Sequence, residues 1–210
     1  VGVDLDKLNP KNVSEIEKQE TKEKLSLNEG DYVIVSVGRL EREKNFDHII
    51  KALKIAKEKG VRFKFFVAGC GPLSSYLLNL AKYLGLEEEL ILLGHLDQIP
   101  ELLSVSNIYV TASLREGLPV SVMEAMAMEK PIVGYNIRGV RDLVEDGVNG
   151  FLVPLKDINA LAEKILYLME HPEVTVEMGK KGREKIEREF SLKVILPQME
   201  KLYKEILEGR

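Results

Sequence analysis

Short apolar runs alternate with longer amphipathic segments along most of this chain. The apolar runs predict six strands, at residues 32–37, 63–68, 90–94, 108–112, 131–135 and 151–153. Each run is mostly apolar and does not alternate with polar residues, which is typical of strands buried on both faces of a parallel sheet. The segments between them repeat apolar residues every three or four positions and predict helices at 46–59, 73–84, 119–129 and 159–170.

This alternation of strand and helix predicts an α/β fold, a Rossmann-like doubly wound parallel sheet of about six strands flanked by helices. We expect one such domain over residues 1–190. In sheets of this kind a ligand binds beyond the carboxyl ends of the strands, in the loops that lead into the helices. Those loops are therefore the place to look for functional residues.

The last segment has a different pattern, because one face of a predicted helix over residues 191–210 is almost entirely apolar. Its apolar positions are Leu192, Ile195, Leu196, Met199, Leu202, Tyr203 and Ile206. This face could pack on the domain's own sheet, or it could belong partly to a second domain.

Charge and composition exclude several classes of function. The 30 Lys and Arg and 34 Asp and Glu are dispersed, the net charge is −4, and no basic stripe interleaved with aromatic residues suggests a nucleic-acid partner. Cys70 is the only cysteine and the three histidines are far apart, so no disulfide within the chain and no metal site is expected. No long apolar run or leader suggests a membrane span, and the expected compartment is the cytoplasm.

The loop after the first strand, "GRLEREKNF", combines a glycine with basic residues. Gly38 allows a sharp turn, and Arg39 and Lys44 follow it before the next helix. Two cations at the mouth of a sheet suit a diphosphate, Arg as a planar fork and Lys as a point charge. Charged loop residues are common, however, and Arg42 in the same loop shows how little a single cation indicates.

The loop after the second strand, "AGCGP", carries Gly69 and Gly71, which permit a backbone to approach a ligand closely. The dinucleotide fingerprint G-x-G-x-x-G is incomplete because Ser74 stands at its last glycine. A tight turn into a helix explains the same residues. In the loop after the third strand, His95 is interpreted as a partly buried structural histidine rather than a catalytic one.

The loop after the fourth strand, "SLREGLPVSVMEAMAMEKP", holds two carboxylates eight residues apart, Glu116 before the helix and Glu124 inside it. Pro119 suits the first helical position. The free amides at the start of the helix, those of Gly117, Leu118 and Val120, favour an anion. Carboxylates accept hydrogen bonds from vicinal hydroxyls. A ligand with hydroxyls at both ends and phosphates between them fits this loop.

Together these segments resemble the carboxy-terminal, donor-binding domain of the retaining glycosyltransferases of family 4. "SVGRLEREKN" resembles their diphosphate loop, "VAGCGP" their second loop, and "EGLPVSVMEAMAMEKPIVG" their E-x7-E motif. "VGVDLDKLNP" resembles the linker that enters the domain, and "GVRDLVEDGVNGFLVP" and "FSLKVILPQMEKLYKEIL" follow in the family's order. The resemblance implies one half of a two-domain GT-B fold, with the amino-terminal half absent from this chain.

The resemblance also implies roles for the candidate residues. Arg39 and Lys44 would neutralise the diphosphate of a UDP-, GDP- or ADP-sugar, Glu116 would contact hydroxyls of its sugar, and Glu124 would bind the ribose. The loop backbone, at Gly38, Gly69, Gly117, Leu118 and Val120, would hold phosphate and sugar. No cofactor or metal is implied. Many members carry Gly where Pro119 stands, so which sugar hydroxyl is read there is open.

The implied activity is transfer of a sugar from a nucleotide sugar to an acceptor, with retention of configuration, in polysaccharide or glycolipid biosynthesis. The acceptor would be held mainly by the absent amino-terminal half. The inner face of the membrane stays open as a location for the full-length protein. A sugar-nucleotide 2-epimerase and a nonenzymatic nucleotide-binding domain are the alternatives, and a hydride-transferring Rossmann enzyme is disfavoured by the incomplete fingerprint.

Overall fold

A computed structural model describes residues 2–208. The predicted domain over 1–190 and the predicted helix over 191–210 therefore include residues 1, 209 and 210, which lie outside the described residues. Within this range six strands are β1 to β6, and they span Tyr32–Val37, Phe63–Ala68, Leu90–Gly94, Ile108–Thr111, Ile132–Tyr135 and Gly150–Val153. All pair in parallel in the order β3-β2-β1-β4-β5-β6. The predicted strands and the doubly wound sheet are confirmed, with small shifts at strand ends.

Nine α-helices lie in the same described range. Helices α1 to α9 span Glu15–Lys24, Phe46–Glu58, Ser74–Tyr83, Ile99–Ser104, Val120–Ala127, Val140–Leu143, Ile158–Glu170, Pro172–Glu189 and Leu192–Glu208. The four predicted helices correspond to α2, α3, α5 and α7, and the predicted C-terminal helix to α9. Helices α1, α4, α6 and α8 were not predicted from the sequence. None of the described helices is long and apolar enough to cross a bilayer.

The sheet forms the centre of the core because helices cover both of its faces. Central strand residues such as Ile34, Phe66 and Val133 are fully buried, which explains why the strands are mostly apolar and do not alternate. Helix α2 packs against α3 and α7, whereas α5 packs against α8 and α1 against α4. Right-handed crossovers place these groups on opposite faces of the sheet. The connections after the strands are thereby gathered at one edge.

Helix α9 leaves the body of the domain after its first turns. Its start is held by backbone hydrogen bonds to the first residues of the chain. The Val3 amide donates to the Phe190 carbonyl, and the Leu192 amide donates to the Val3 carbonyl, both at 2.9 Å. From Leu196 onward its apolar side chains are exposed, with Leu202 and Ile206 each more than half accessible. Packing on the domain's own sheet, one of the two alternatives, therefore does not account for that part of the helix.

Candidate functional site

The candidate site lies where the connections of β1 and β4 diverge. These strands are neighbours, but the chain runs from β1 towards β2 and from β4 towards β5. Their pairing covers Ile34 with Ile108 and Val35 with Tyr109, whereas β1 and β2 pair over all six residues. Beyond Val35 the two strands separate, which opens a crevice at the topological switch point of the sheet.

Two hydroxyl groups replace the missing backbone pairing inside this crevice. The Ser36 hydroxyl donates to the Val110 carbonyl at 2.5 Å. The Tyr109 hydroxyl accepts from the Val37 amide at 3.1 Å and donates to the Val37 carbonyl at 3.2 Å. Burial raises the pKa of Tyr109 to about 12, so it remains a neutral donor at physiological pH. These bonds satisfy the last residues of β1 where the crevice begins.

Lys44 reaches the crevice because the loop after β1 folds back in a short 3₁₀ turn at Arg42–Lys44. Asn45 then adopts a left-handed conformation, with φ of 49°, and α2 begins. The stem of Lys44 runs across Gly38, where a Cβ atom would lie 3.4 Å from its Cε. This is an ordinary van der Waals distance, so the stem of Lys44 lies against Gly38 beside the end of β1.

Glu116 enters the same crevice from the loop after β4. Its Oε1 lies 2.6 Å from Nζ of Lys44, and both side chains are mostly buried. A second contact joins the loops, since the Leu114 amide donates to the Glu43 carbonyl at 2.8 Å. The structure therefore brings together two of the predicted site residues, Lys44 and Glu116, from loops 72 residues apart.

A third loop supports Glu116 from behind. Gly139 has φ of 85°, and a Cβ atom there would lie 2.2 Å from the Gly117 carbonyl oxygen and 2.8 Å from that of Glu116. Only glycine fits such an approach, because both the conformation and the space exclude a side chain. The segment between β5 and α6 therefore fixes the position of the Glu116–Gly117 peptide.

The resulting crevice is narrow, with room for about one water molecule, and its lining is mostly polar. Besides Lys44 and Glu116, its polar lining includes Ser36, Ser113 and Ser121. An ammonium, a carboxylate and several hydroxyls at the carboxyl edge of a parallel sheet can bind a ligand that carries both anionic and hydroxyl groups.

Arg39 and Glu124 lie outside this lining. Arg39 is exposed, with 78% of its side chain accessible, and pairs with Glu41 at 3.2 Å. Glu124 lies on α5, where burial raises the pKa of its carboxyl group, and among the described residues no charge or hydrogen bond contributes to that shift. Two carboxylates of the loop-helix segment thus differ: Glu116 is paired and Glu124 is desolvated without a partner.

The start of α5 corrects one expectation. Pro119 is the residue before the helix, with extended backbone (ψ of 112°), and not its first helical residue. Its carbonyl accepts from the amides of Val122 and Met123, both at 3.2 Å. The amides of Gly117, Leu118 and Val120 donate to no protein acceptor in the described part of the chain. They are therefore free to donate to a ligand, and their binding of an anion stays a prediction.

With this geometry in view, comparison with known proteins identifies the family. The family described as Glycosyl transferases group 1 matches residues 17–185. The chain belongs to the glycosyl transferases group 1 family. It is 34% identical over 183 residues to a putative glycosyltransferase, EpsD, of Bacillus subtilis, covering 87% of this chain and 48% of that protein.

Two further similarities agree. The chain is 32% identical to a UDP-Gal:α-D-GlcNAc-diphosphoundecaprenol α-1,3-galactosyltransferase of Escherichia coli, over 96% of this chain and 52% of that protein. A Staphylococcus aureus TarM mutant, solved in complex with fondaparinux, α-GlcNAc-glycerol and UDP, superposes with a TM-score of 0.79 at 28% identity, covering 83% of this chain and 36% of that one. The chain spans about half the length of the curated relatives it matches, and its fold is one half of a GT-B glycosyltransferase.

Gly69 has a second role in this glycosyltransferase domain besides the predicted one. A Cβ atom at Gly69 would lie 1.9 Å from the Gly38 carbonyl oxygen, and one at Gly71 would lie 2.5 Å from that of Leu40. The Leu40 amide also donates to the Cys70 carbonyl at 2.9 Å. These glycines let the loops after β1 and β2 pack backbone against backbone, while contact with a ligand stays a prediction.

The structure also bears on His95, on the metal ligands and on residues that the sequence did not indicate. His95 is exposed and lies 3.1 Å from Asp97, so its interpretation as a partly buried residue is wrong. Among residues 2–208 no group of three or more His, Cys, Asp or Glu side chains could hold a metal ion. The sequence reasoning missed Ser36 and Tyr109. Both residues place a hydroxyl group inside an otherwise apolar strand, and a buried hydroxyl needs a hydrogen-bond partner. A polar residue within an apolar run was therefore the signal that could have identified them.

Proposed function

We propose that this chain is the donor-binding domain of a retaining glycosyltransferase of family 4 and that it binds a UDP-, GDP- or ADP-sugar. The observation that carries the proposal is the meeting of Lys44 and Glu116, 2.6 Å apart, in a polar crevice at the sheet's switch point. The ammonium suits phosphate and the carboxylate suits sugar hydroxyls. The UDP bound in the TarM complex and the UDP-galactose named for the E. coli relative support a nucleotide-sugar donor.

Each remaining site residue has a proposed part in holding the donor. Arg39 swings from Glu41 to the diphosphate, which its exposure allows. Glu124 accepts hydrogen bonds from the ribose hydroxyls, which would provide its desolvated carboxylate with partners. The unpaired amides of Gly117, Leu118 and Val120 bind phosphate and sugar, with the loop backbone at Gly38 and Gly69 lining the site.

The proposed chemistry depends on stabilising the diphosphate as it leaves the sugar. Negative charge grows on the leaving phosphate oxygen as the bond to the sugar breaks. Arg39, Lys44 and the amide groups before α5 would stabilise that charge from fixed positions. Retention of configuration rests on the resemblance to family 4, and anomeric analysis of the product by NMR tests it.

The other half of the full-length protein has a proposed role in holding the acceptor. The exposed apolar face of α9, in the 191–210 segment, is proposed to pack partly against that half. The E. coli relative is named for a lipid-diphosphate-linked acceptor. This supports polysaccharide or glycolipid synthesis in the cytoplasm, at the inner face of the membrane, as the proposed setting.

Titration calorimetry of the 210-residue chain with UDP, GDP and ADP tests the donor site. Arg39→Ala and Lys44→Ala should each weaken binding of the preferred nucleotide by about tenfold or more, because hydrogen bonds to charged groups contribute about 1.5–3 kcal/mol. Arg42→Ala is the matched control, being an exposed cation of the same loop. Equal losses in all three variants, or no binding of any nucleotide by the wild type, would contradict the proposal.

The full-length protein distinguishes transfer from its alternatives. With a nucleotide sugar and an acceptor, a glycosylated product supports the transferase. An epimerised free nucleotide sugar would instead identify a 2-epimerase, and nucleotide binding without any product would identify a nonenzymatic domain. We expect no transfer by this chain alone, since the acceptor is proposed to bind elsewhere.

A further inference from the structure

Two residues with different proposed ligands are in contact with each other. Lys44 is proposed to bind the diphosphate and Glu116 the sugar hydroxyls, yet Nζ of Lys44 lies 2.6 Å from Oε1 of Glu116. Only 28% of the lysine side chain and 16% of the glutamate side chain are accessible. In this arrangement the carboxylate uses one of the three N–H donors of the Lys44 ammonium, the group to which a phosphate oxygen would also bind.

The contact is held by the backbone on both sides. The Lys44 amide donates to the Glu41 carbonyl at 3.1 Å, and the Leu114 amide donates to the Glu43 carbonyl at 2.8 Å. Gly139 presses against the peptide that follows Glu116. The Lys44 and Glu116 side chains therefore face each other because backbone contacts hold the loops after β1 and β4 together.

A diphosphate that approaches Lys44 would compete with Glu116 for the ammonium. The ligand brings more negative charge than a single carboxylate, so it competes favourably for the ammonium. Glu116 is mostly buried, and repulsion between it and the incoming phosphate is poorly screened by solvent. Once separated from Lys44, the Glu116 carboxylate needs new hydrogen-bond donors. Sugar hydroxyls of the same ligand are such donors.

We propose that Glu116 is an internal competitor of the donor's diphosphate for Lys44, and that its displacement by the diphosphate makes it available to the donor sugar. This inference rests on the proposed function and adds a determinant of specificity to it. Free sugars, which cannot displace Glu116, are rejected, whereas a sugar attached to a diphosphate is accepted. Because coupling between two binding events is reciprocal, the sugar contact also favours the diphosphate on Lys44.

Calorimetry with UDP, a diphosphate without a sugar, separates competition from simple binding. Glu116→Gln removes the competing charge, so it should strengthen UDP binding by about fivefold or more. Glu116→Ala should do the same, which guards against an effect specific to glutamine. If Glu116 instead supports Lys44 or binds the nucleotide directly, both variants would weaken UDP binding, and the proposal would be overturned.

Glu43→Gln is the matched control. Glu43 is the neighbour of Lys44 in sequence, is exposed, and pairs with Arg115 at 2.7 Å. Its removal changes the charge of the same loop equally but leaves the Lys44–Glu116 contact intact. We expect less than about a twofold change in UDP affinity. Equal strengthening by Glu43→Gln and Glu116→Gln would mean a general charge effect and would overturn the competition.

A double variant completes the test. In a Lys44→Met background, Glu116→Gln should no longer strengthen UDP binding, because the ammonium for which Glu116 and the diphosphate compete has been removed. The weaker affinities of these variants are measured by NMR chemical-shift titration. A gain that persists without Lys44 contradicts the proposal. Failure of the wild type to bind UDP, GDP or ADP would instead remove the proposed function, and this inference with it, so the two failures are distinguishable.

Discussion

The hydroxyl of Tyr109 on β4 binds both backbone groups of Val37, the last residue of β1, with its amide at 3.1 Å and its carbonyl at 3.2 Å. The Tyr109 side chain thus replaces the backbone hydrogen bonds between β1 and β4, whose pairing ends at Val35 and Tyr109. The loop that contains Gly38, Arg39 and Lys44 begins at the next residue. The end of β1 is therefore anchored at the point where the candidate site opens.

Tyr109→Phe should destabilise the domain by about 1–3 kcal/mol, because it removes the hydrogen-bond partner of the partly buried amide and carbonyl of Val37. Urea unfolding measures this change. Tyr76→Phe is the control, since Tyr76 lies about half exposed on α3 and should lose almost nothing. Equal stability of the two variants would show that the Tyr109 hydroxyl bonds contribute nothing net.

Gly139→Ala should destabilise the domain more than Gly147→Ala, by about 1–3 kcal/mol. Both glycines have positive φ, at 85° and 74°, so both variants carry conformational strain. Only at Gly139 would the new methyl group also collide with the carbonyls of Glu116 and Gly117, whereas nothing lies within 4 Å at Gly147. The difference between the unfolding free energies of the two variants measures the effect of the close contact between Gly139 and the Glu116–Gly117 peptide. Equal unfolding free energies would show that this contact does not restrict position 139.

Glu124→Gln should raise the melting temperature at pH 7. Burial raises the pKa of Glu124 in the folded protein above its usual value of 4.5. The folded state therefore binds more protons than the unfolded state between those two pKa values, and stability falls as pH rises through that window. Glutamine removes this cost, so the gain, on the order of 2 °C, should be present at pH 7 and disappear below about pH 4.

Glu184→Gln is the control for that pH series, because Glu184 is exposed on α8 and should show no gain at either pH. Differential scanning calorimetry provides both melting curves. We further expect Glu124→Gln to weaken nucleotide binding while it stabilises the domain, which is the usual cost of a functional group held in an unfavourable place. A gain that is the same at pH 7 and pH 4 would refute the burial argument.

The strands were predictable because burial on both faces imposes a pattern that is visible locally. Short runs with four consecutive apolar residues, as in "YVIVSV" and "FKFFVA", have few other interpretations in a chain of alternating elements. Helix α8 was missed for the opposite reason. Gly179 on this helix lies so close to Glu129 that a Cβ atom would approach its carbonyl oxygen to 2.1 Å. Glycine at such a close contact weakens the apolar period on which helix prediction depends.

Two residues of the candidate site, Lys44 and Glu116, were predictable from the sequence, but their contact was not. Both lie in loops that follow strand ends, and the topology of a parallel sheet gathers such loops at one edge. Arg39 and Glu124, which were predicted with them, lie outside the crevice lining. Whether Lys44 would meet Glu116 or Glu124 depends on side-chain directions in loops 72 residues apart. No local pattern encodes those directions, and the same holds for the support that Gly139 provides.

The exposed face of α9 leads to the last prediction. Leu202→Glu and Ile206→Glu should change the stability of the 210-residue chain by less than about 0.5 kcal/mol, because both side chains are more than half exposed. Ile195→Glu, on the same helix, should cost about 1–3 kcal/mol, since Ile195 packs closely beside Gly2. In the full-length protein the first two variants should also become destabilising, because they would place a charge against the proposed partner half. Urea unfolding of both lengths measures this contrast, and unchanged stability of the full-length variants would mean that the face is not covered by that half.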